Sequence, residues 1–300
     1  MTLREVVQRV VSLIGECAHL EPEVRQDAAR EGRLLVAGVL HLSPGELAQR
    51  LVTEPVLRVG EADRIETALH RRLRGEPLAY AVGEAPFREL VLRVDSRVLI
   101  PRPETEVVVE EALRVAAAAP GGLAVDIGTG SGAIALALAT EGRFDAVLAT
   151  DVSSDALAVA QENAEWLRQQ GVAMAPVEFR HGADVAPLRD RLAGQHKARV
   201  IVSNPPYIAY EEAALLPTSV RDWEPTVALF AANGGLARYE VLVQEARALL
   251  EPGGWLILEL DANRAAPVAA MAAAAGYDMV QVKQDLAGRD RVLLARTPPE

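Results

Sequence analysis

The sequence predicts an α/β protein: a mostly parallel sheet wrapped by helices, preceded by a small helical bundle and a β-hairpin. Apolar residues recur at helical spacing from Val6 to Leu73. β-branched and aromatic residues with short polar interruptions occupy Phe87 to Ile100, and helical and strand-like runs alternate from Pro103 onward. We therefore expect a helical domain at residues 1–80, a hairpin linker at 81–102 and a sheet domain at 103–300.

Length, composition and charge narrow the function classes. The chain has 300 residues, 50% of them hydrophobic and 24% charged, which is enough for a substantial core. A formal charge of -11 argues against a protein that holds nucleic acid mainly through phosphates, because that mode needs a basic face. The single cysteine, Cys17, excludes an internal disulfide. No apolar run approaches the roughly 18 residues of a membrane span. These features predict a soluble, cytoplasmic protein without membrane or DNA contacts.

Local signals mark where elements begin and turn. Ser43 is followed by Pro44 and then by Glu46, which together supply the cap, the first-turn proline and the acidic residue of a capping box. A helix is therefore expected to start there. In the linker, Asp95-Ser96 lies in the middle of the strand-like stretch and is expected to form the turn of the hairpin.

The sheet domain is expected to alternate helices and strands. The expected helices are Glu104–Ala119, Ser131–Thr140, Ser153–Gln170 and Leu236–Leu250. The expected strands are Leu123–Ile127, Ala146–Thr150, Val177–Phe179, Val200–Ser203 and Trp255–Leu260. Such alternation implies a mostly parallel sheet, with ligands bound at the carboxyl ends of its strands.

A glycine-rich turn, Gly128–Gly132, follows the first of these strands, and we call it the glycine loop. Its glycines let the backbone turn sharply and let a ligand approach the N–H groups at the start of the next helix. Asp151 ends the next strand about twenty residues later, where a carboxylate can accept both hydroxyls of a ribose. The pattern predicts a nucleoside-bearing cofactor, and its candidate contacts are Asp126, Gly128, Thr129, Gly130, Ser131, Gly132 and Asp151.

The glycine loop alone does not identify the cofactor. Because Ala133 follows Gly132, the stretch also satisfies the dinucleotide pattern G-x-G-x-x-G/A, so an NAD site stays open. A tight strand-to-helix turn without a ligand is the structural alternative. Asp126, two positions before Gly128, either braces the loop through backbone N–H groups or touches the ligand.

A second motif, Asn204–Tyr207, ends the apolar strand Ile201–Ser203, and we call it the Asn-Pro-Pro-Tyr corner. Two prolines fix φ and lack N–H groups, so the corner is stiff. Its position at the carboxyl end of a strand puts Asn204 beside the glycine loop. The alternative is a rigid strand exit with Tyr207 covering the core. Next to a cofactor loop we favour a substrate site, whose candidate catalytic residues are Asn204, Pro205, Pro206 and Tyr207.

The motifs fall in the order of a known family. They are Gly75–Tyr80, Leu99–Glu106, Asp126–Gly132, Ser203–Ile208, Glu224-Pro225, Ala228–Phe230 and Leu250–Gly254. Over nearly its whole length the chain resembles the class I S-adenosylmethionine-dependent methyltransferases, and within them the peptide chain release factor N5-glutamine methyltransferases. The resemblance implies a Rossmann-like sheet with helices on both faces and S-adenosyl-L-methionine as cofactor. It also implies that the substrate is the glutamine of the Gly-Gly-Gln motif in bacterial class 1 release factors, held partly by the helical domain.

The resemblance assigns roles within the cofactor site. The glycine loop would face the methionine part of the cofactor and Asp151 the ribose. Asp184 matches the acidic position near the adenine, and Val185 stands where relatives commonly carry a tryptophan.

Phe87 and the segment Arg102–Glu106 match family positions that roof the cofactor or order the linker. Arg102 could equally form a structural ion pair. Two stretches depart from the family pattern, Ala231–Gly235 and Asp261–Arg264, and both lie outside the Asn-Pro-Pro-Tyr corner. We therefore expect differences in the covering segments, with the reaction unchanged.

Chemistry explains why such a corner is needed. A carboxamide nitrogen is a poor nucleophile because its lone pair is delocalised into the carbonyl, so it must be positioned and not merely bound. Its two N–H donors can be accepted by the Asn204 side-chain oxygen and the Pro205 carbonyl. This chemistry requires no metal and no histidine or glutamate base.

Other functions share parts of the pattern. A ribosomal-protein glutamine N5-methyltransferase would use identical chemistry, but the sequence Arg-Pro-Glu-Thr-Glu at Arg102–Glu106 fits the release-factor branch better. Adenine-N6 DNA methyltransferases present an exocyclic amine to a similar corner after base flipping, and the acidic charge argues against them. An NAD-dependent dehydrogenase leaves the Asn-Pro-Pro-Tyr corner unexplained, and a scaffold without catalysis would not need it.

Overall fold

A computed structural model describes residues 2–53, 56–192 and 197–299. The chain divides into two compact units. One comprises the residues up to Glu84 together with Leu215–Glu224, and the other comprises Ala85–Ala214 together with the chain from Pro225 onward. The first unit thus takes in a segment from far along the chain that a boundary at residue 80 does not include.

The first unit is built from short helices around one apolar core. They are α1 (Leu3–Glu16), α2 (Pro22–Gln26), α3 (Ala28–Val39), α4 (Pro44–Thr53), α5 (Glu61–Leu73) and α6 (Leu78–Val82). Ile14, Leu35 and Leu69 are fully buried where these helices meet. The expected start at Ser43 is confirmed: its hydroxyl accepts the Glu46 N–H at 3.2 Å, and the Glu46 carboxylate accepts the Ser43 N–H at 2.7 Å.

The segment Leu215–Glu224 joins the first unit through Glu21, which precedes α2. The segment contains α10 (Thr218–Arg221). The Glu21 carboxylate accepts the Thr218 hydroxyl at 3.1 Å and the Ser219 N–H at 3.0 Å. Partial burial disfavours the Glu21 carboxylate, but hydrogen bonds from its own backbone N–H, from Ser219 and from Thr218 together hold its pKa below the ordinary value.

Among the helices of the described residues, none combines the length and the apolar character that a membrane span needs.

The hairpin consists of β1 (Glu84–Phe87) and β2 (Leu90–Arg93). Its turn is at Arg88-Glu89, where Arg88 adopts a φ of +53°. The expected turn at Asp95-Ser96 is wrong as the hairpin turn, because that pair follows β2 instead of joining the two strands. The Asp95 carbonyl accepts the Val98 N–H at 3.1 Å, so the pair forms a separate turn.

The second unit alternates strands and helices as expected. Its longer helices are α7 (Pro103–Ala116), α8 (Ala133–Glu141), α9 (Ser154–Gln169), α12 (Ala237–Ala246) and α13 (Ala265–Ala274), and a short one is α11 (Thr226–Leu229). The main-sheet strands are β3 (Leu123–Ile127), β4 (Ala146–Asp151), β5 (Val177–His181), β6 (Ala198–Ser203), β9 (Leu250–Glu259), β10 (Met279–Gln284) and β11 (Asp290–Arg296). A separate pair is β7 (Ile208–Ala209) and β8 (Phe230–Ala231).

The main sheet has seven strands in the order β10-β11-β9-β6-β3-β4-β5. Strands β5, β4, β3, β6 and β9 run parallel, and β11 and β10 are antiparallel additions at one edge. The expected mostly parallel sheet is confirmed. Ile127 pairs with both Ser203 and Thr150, so the residues that follow β3, β6 and β4 leave the sheet at one edge.

Helices cover both faces of this sheet, as its parallel strands require. Neighbouring residues of each buried strand belong to opposite apolar clusters: Val200 packs with α7, α8 and α9, and Ile201 packs with α12 and α13. We call these the first and the second apolar cluster. Two buried faces make the strands nearly continuous in apolar residues, which leaves function to the polar groups at their ends.

Candidate active site

A cleft opens at the carboxyl edge of β3, β4 and β6. It encloses about 820 Å³ when its solvent-facing mouth is included. The sequence-predicted residues that line it are Gly128, Gly130, Asp151, Asp184, Asn204, Pro205 and Pro206. Arg97, Val98 and Leu99, which follow the hairpin, also line it. The two motifs expected to lie together are therefore brought together.

The glycine loop presents bare backbone to the cleft. Gly128 and Gly130 have φ of +74° and +56°, a region that favours glycine. A Cβ at either position would meet no other atom within 4 Å, so it would project into open space. The Thr150 carbonyl accepts the N–H groups of Gly128 and Thr129 at 2.9 and 2.8 Å. The loop is thus fixed to the neighbouring strand and leaves a cradle that side chains would fill.

Asp126 braces this loop from beneath. One carboxylate oxygen accepts the Thr129 hydroxyl at 2.7 Å and the Ala135 N–H at 3.0 Å, and the side chain is completely buried. Its other oxygen, Oδ1, has no hydrogen-bond partner among the described residues. Burial raises the pKa of Asp126 to about 7, and the two hydrogen bonds oppose that shift. Of the two roles left open by the sequence, bracing fits this geometry.

Asp151 ties the end of β4 to the glycine loop. Its carboxylate accepts the Gly130 N–H at 2.9 Å through one oxygen and the Ser153 N–H at 2.8 Å through the other. The residue is nearly buried yet lines the cleft. A carboxylate oxygen can accept a second bond, so each oxygen keeps a free acceptor position for a hydroxyl.

The end of the glycine loop serves packing. Ser131 is buried, and its carbonyl accepts the Asn163 side-chain N–H at 2.9 Å. A Cβ on Gly132 would lie 3.1–3.2 Å from Leu136 and Ala160, so glycine there lets helix α8 pack closely against α9. Asn163 also exchanges hydrogen bonds with the backbone of Arg93 in β2. Sequence reasoning missed this buried asparagine, which joins the hairpin to the loop.

The acidic position after β5 is ion-paired. Asp184 adopts a φ of +50°, and its carboxylate is 3.1 Å from Nη1 of Arg238. Arg238 lines the cleft and was missed by sequence reasoning, since it stands in no motif. Val185 is fully buried in the second apolar cluster, so its side chain contributes to the core.

Asn204 is held by a partly buried chain of hydrogen bonds. Its side-chain N–H group donates to the Thr105 hydroxyl at 3.2 Å, and that hydroxyl donates to the Glu259 carboxylate at 2.6 Å. Burial raises the pKa of Glu259 to about 7, opposed first by the Thr105 hydrogen bond and then by the charge of Arg291. The preceding residue, Ser203, donates its hydroxyl to the Ile127 carbonyl at 2.6 Å and so links β6 to β3.

Tyr207 points to the core side of the corner. It packs against the second apolar cluster, and burial raises the pKa of its hydroxyl above the usual range. This position fits the core-covering alternative better than contact with a reacting atom. A Cβ on Gly235 would overlap the Tyr207 carbonyl oxygen and the Arg264 side chain. The stretch Ala231–Gly235, which departs from the family pattern, therefore packs directly on the Asn-Pro-Pro-Tyr corner.

Phe87 and the segment Arg102–Glu106, which the resemblance places over the cofactor or in the linker, have different surroundings. Phe87 is fully buried in the first apolar cluster. Arg102 is the N-cap residue of α7, and its charge acts on Tyr207 and Glu259. The Glu106 carboxylate accepts the Arg88 N–H at 3.0 Å, which fixes the hairpin turn to α7. Glu106 therefore holds the hairpin against the helix that follows it.

Metal ligands do not assemble in the described ranges. Among residues 2–53, 56–192 and 197–299, no group of three or more His, Cys, Asp or Glu side chains is arranged to hold a metal ion. The charged and amide side chains that line the cleft are instead the carboxylates of Asp151 and Asp184, the guanidinium groups of Arg97 and Arg238, and the Asn204 amide. Such a set suits an organic molecule that carries hydroxyl and amide donors.

Comparisons with known proteins bear on the fold and the family of this chain. A family model described as the methyltransferase small domain matches residues 106–218, and one described as the PrmC N-terminal domain matches residues 18–83. The hMettl16 catalytic domain in complex with MAT2A 3'UTR hairpin 6 has 19% identity and a TM-score of 0.52, covering 81% of this chain and 83% of that chain. This last likeness concerns the fold alone.

Full-length relatives carry the assignment. The release factor glutamine methyltransferase of Cereibacter sphaeroides is 41% identical over 91% of this chain and 92% of its own length. The protein of the same name from Moorella thermoacetica is 40% identical over 98% of both chains. The resemblance inferred from the motifs is therefore confirmed, and this chain belongs to the family of release factor glutamine methyltransferases.

Proposed function

We propose that this protein transfers a methyl group from S-adenosyl-L-methionine to the side-chain nitrogen, N5, of the glutamine in the Gly-Gly-Gln motif of a bacterial class 1 release factor. The observation that carries the proposal is the orientation of Asn204. Its N–H group is taken by Thr105, which leaves its carbonyl oxygen as an acceptor beside the cleft. An acceptor at that place is what the N–H donors of a carboxamide need.

The residues of the cleft fit the cofactor. Gly128 and Gly130 leave a cradle that a Cβ would fill, and the Asp151 carboxylate keeps acceptor positions for two ribose hydroxyls. Asp184, paired with Arg238, would lie towards the adenine. When bound, S-adenosylmethionine supplies an electrophilic methyl carbon on a positively charged sulfur. Asp126, Thr129, Ser131 and Gly132 would support the loop from behind.

The corner residues would orient the substrate. The Asn204 side-chain oxygen and the Pro205 carbonyl accept one amide hydrogen each, which fixes the plane of the glutamine carboxamide and exposes its π face. Pro205 and Pro206 keep these acceptors in place because their φ angles are fixed. Tyr207 supports the corner from the core side. The work done by these residues is positioning, which can supply a large share of a rate enhancement.

The proposal extends to the organisation of the chain. A helical domain at residues 1–80 would help to hold the release factor, residues 81–102 would link the domains, and residues 103–300 would carry out the transfer. The match of residues 18–83 to the PrmC N-terminal domain supports a separate helical module. Because release factors act in translation, we place the reaction in the cytoplasm, with no direct role for DNA.

Mass spectrometry of a purified class 1 release factor tests the proposal. The release factor is incubated with the protein and isotope-labelled S-adenosylmethionine, and we expect one labelled glutamine, in the Gly-Gly-Gln peptide. The Asn204→Ala protein provides the control for background methylation. Label confined to a ribosomal-protein glutamine, or to adenine in added DNA, would replace the proposed substrate.

A further inference from the structure

The hydrogen-bond chain behind Asn204 joins three distant parts of the second unit. Glu259 lies at the end of β9, Thr105 in the first turn of α7, and Asn204 just after β6. We propose that Thr105 and Glu259 are positioning residues that hold the Asn204 carboxamide with its oxygen towards the substrate. This inference deepens the proposed function and rests on it.

The direction of each bond follows from a count of hydrogens. A threonine hydroxyl has one hydrogen to donate and lone pairs to accept with. A carboxylate can only accept, so the Thr105 hydrogen goes to Glu259, at 2.6 Å. The Thr105 oxygen must then accept from Asn204, at 3.2 Å, and only the NH2 side of that amide can donate. The Asn204 oxygen is thereby turned away from Thr105.

Glu259 and Thr105 are buried, so the orientation of the Asn204 amide depends on their hydrogen bonds. Glu259 is 1% exposed and Thr105 is 5% exposed, so water does not offer either group an alternative partner. Hydrogen bonds in such surroundings are stronger than in water, and an unmade one is costly. Asn204 is only half-buried, so without Thr105 its amide could rotate. A rotated amide would offer NH2 to the substrate NH2, which is donor against donor.

Protonation of Glu259 would reverse the chain. A neutral carboxyl can donate its own hydrogen to Thr105, and the Thr105 hydrogen is then free to turn to the Asn204 oxygen. Burial places the pKa of Glu259 at about 7, so this change falls near neutral pH. The carboxylate form, which supports the productive orientation, prevails as the pH rises above that value.

Several charged or titratable groups act on Glu259 or are acted on by it. Arg291 and Arg102 favour its carboxylate form, and Glu104 opposes it. The hydroxyl of Tyr239 donates to the Glu259 backbone carbonyl at 2.9 Å, and Tyr207 feels the Glu259 charge. Burial raises the pKa of both tyrosine hydroxyls, and these rings stay neutral near pH 7. Between Glu259 and these two tyrosines, Glu259 is the group expected to titrate there.

Variants at Thr105 test the geometry. Thr105→Val keeps the shape and removes the hydroxyl, so we expect kcat for release-factor methylation to fall roughly 10- to 100-fold, with KM changed less than about threefold. Thr105→Ser keeps the hydroxyl and should restore most of kcat. The matched control is Thr297→Val, since Thr297 is a similarly buried residue whose hydroxyl donates to the Glu251 carbonyl at 2.7 Å. Its kcat should equal that of the unmodified protein.

A structural role alone would give a different pattern. If Thr105→Val has the kcat of the unmodified protein, or if Thr105→Ser is as impaired as Thr105→Val, the positioning role is wrong. Calorimetric S-adenosylmethionine affinity, expected within about twofold for all three variants, reports whether the cleft is intact independently of turnover. Failure of the unmodified protein to methylate the release factor would instead overturn the proposed function.

A second measurement follows the amide directly. In 15N-labelled protein the side-chain NH2 resonances of Asn204 should shift with an apparent pKa of about 7, and kcat should rise with pH through the same range. Glu259→Gln, which cannot ionise, should remove both effects. Resonances and kcat that keep this pH dependence in Glu259→Gln would overturn the inference and indicate Asp126, whose pKa burial also raises to about 7.

Discussion

The glycine loop and the Asn-Pro-Pro-Tyr corner leave neighbouring strands of one sheet, yet they are held in different ways. The loop is fixed chiefly by Asp126, which lies just before it, and by Asp151, which ends the next strand 21 positions after Gly130. The corner depends on Thr105 and Glu259, which lie 154 positions apart in the chain. Under the proposed function, cofactor binding therefore rests on the glycine loop and the strand beside it, and substrate orientation rests on contacts across the assembled sheet.

Because the two regions are held differently, variants of the glycine loop should change cofactor affinity and variants of the Asn-Pro-Pro-Tyr corner should change kcat. In the proposed function, Gly128, Gly130 and Asp151 contact the cofactor whether or not the substrate is present, so loss of the Asp151 carboxylate should weaken cofactor binding first. Groups of the corner matter mainly when the amide is aligned for attack, and such interactions appear in kcat. Variants of the two regions should accordingly give opposite kinetic signatures.

The largest effect is expected at the corner. Asn204→Ala removes the acceptor for an amide hydrogen, and we expect kcat to fall about 1,000-fold while S-adenosylmethionine affinity stays within about tenfold. Single-turnover methylation of a release factor and calorimetry measure the two quantities. Asn263→Ala, at an exposed asparagine away from the cleft lining, is the control. Retained turnover in Asn204→Ala would refute the role of the corner.

A smaller effect is expected at the loop. Asp151→Ala should weaken S-adenosylmethionine binding roughly 10- to 100-fold, because two hydroxyl acceptors are lost, and kcat at saturation should change less. Asp145→Ala is a matched control, since this carboxylate precedes the same strand and also accepts a backbone N–H, that of Gly122, at 2.8 Å. Equal calorimetric affinities for the two variants would show that Asp151 does not bind the ribose.

The smallest effect concerns stability. Burial raises the pKa of Asp126 from 3.8 to about 7, so the folded chain holds this proton more tightly than the unfolded chain. The resulting stabilisation is complete below pH 3.8 and is lost as the pH rises through 7. Asp126→Asn cannot ionise and should lose about 1–2 kcal/mol less between pH 4 and 7, since buried sites partly relax around a charge.

Denaturant unfolding at several pH values measures this difference. The exposed Asp145→Asn serves as the control, and it should follow the unmodified protein at every pH. If Asp126→Asn and the unmodified protein lose stability in parallel, the carboxylate is not the source of the pH dependence.

Sequence patterns predicted what is local. The capping box at Ser43, the glycine loop and the strands at its sides follow from residues within one or two turns of each other, and the structure confirms them. The antiparallel strands β10 and β11 were not predicted, and neither was the docking of Leu215–Glu224 on Glu21. Both depend on pairings between distant segments, which periodicity does not report.

The same division holds within the site. Side-chain identity placed Asp151 and Asn204 at one sheet edge, but Phe87, Val185 and Tyr207 pack into apolar clusters. Arg238 and Glu259 stand in no motif that marks chemistry, and their importance appears only when the chain brings them to Asp184 and Thr105. The prediction of the hairpin turn at Asp95-Ser96 was wrong because two turns, Arg88-Glu89 and Asp95-Ser96, lie close together in the chain. The residue types of the second pair are the more typical of a turn.

The distance along the chain between Thr105 and Glu259 has a consequence for biosynthesis. A ribosome completes the glycine loop and β4 long before it reaches β9, and β9 in turn pairs with β11 near the C-terminus. Contacts of such wide sequence separation carry the larger cost of loop closure, because their ends must be brought together across many residues. The contact that orients Asn204 therefore depends on a segment synthesised long after the glycine loop and Asp151.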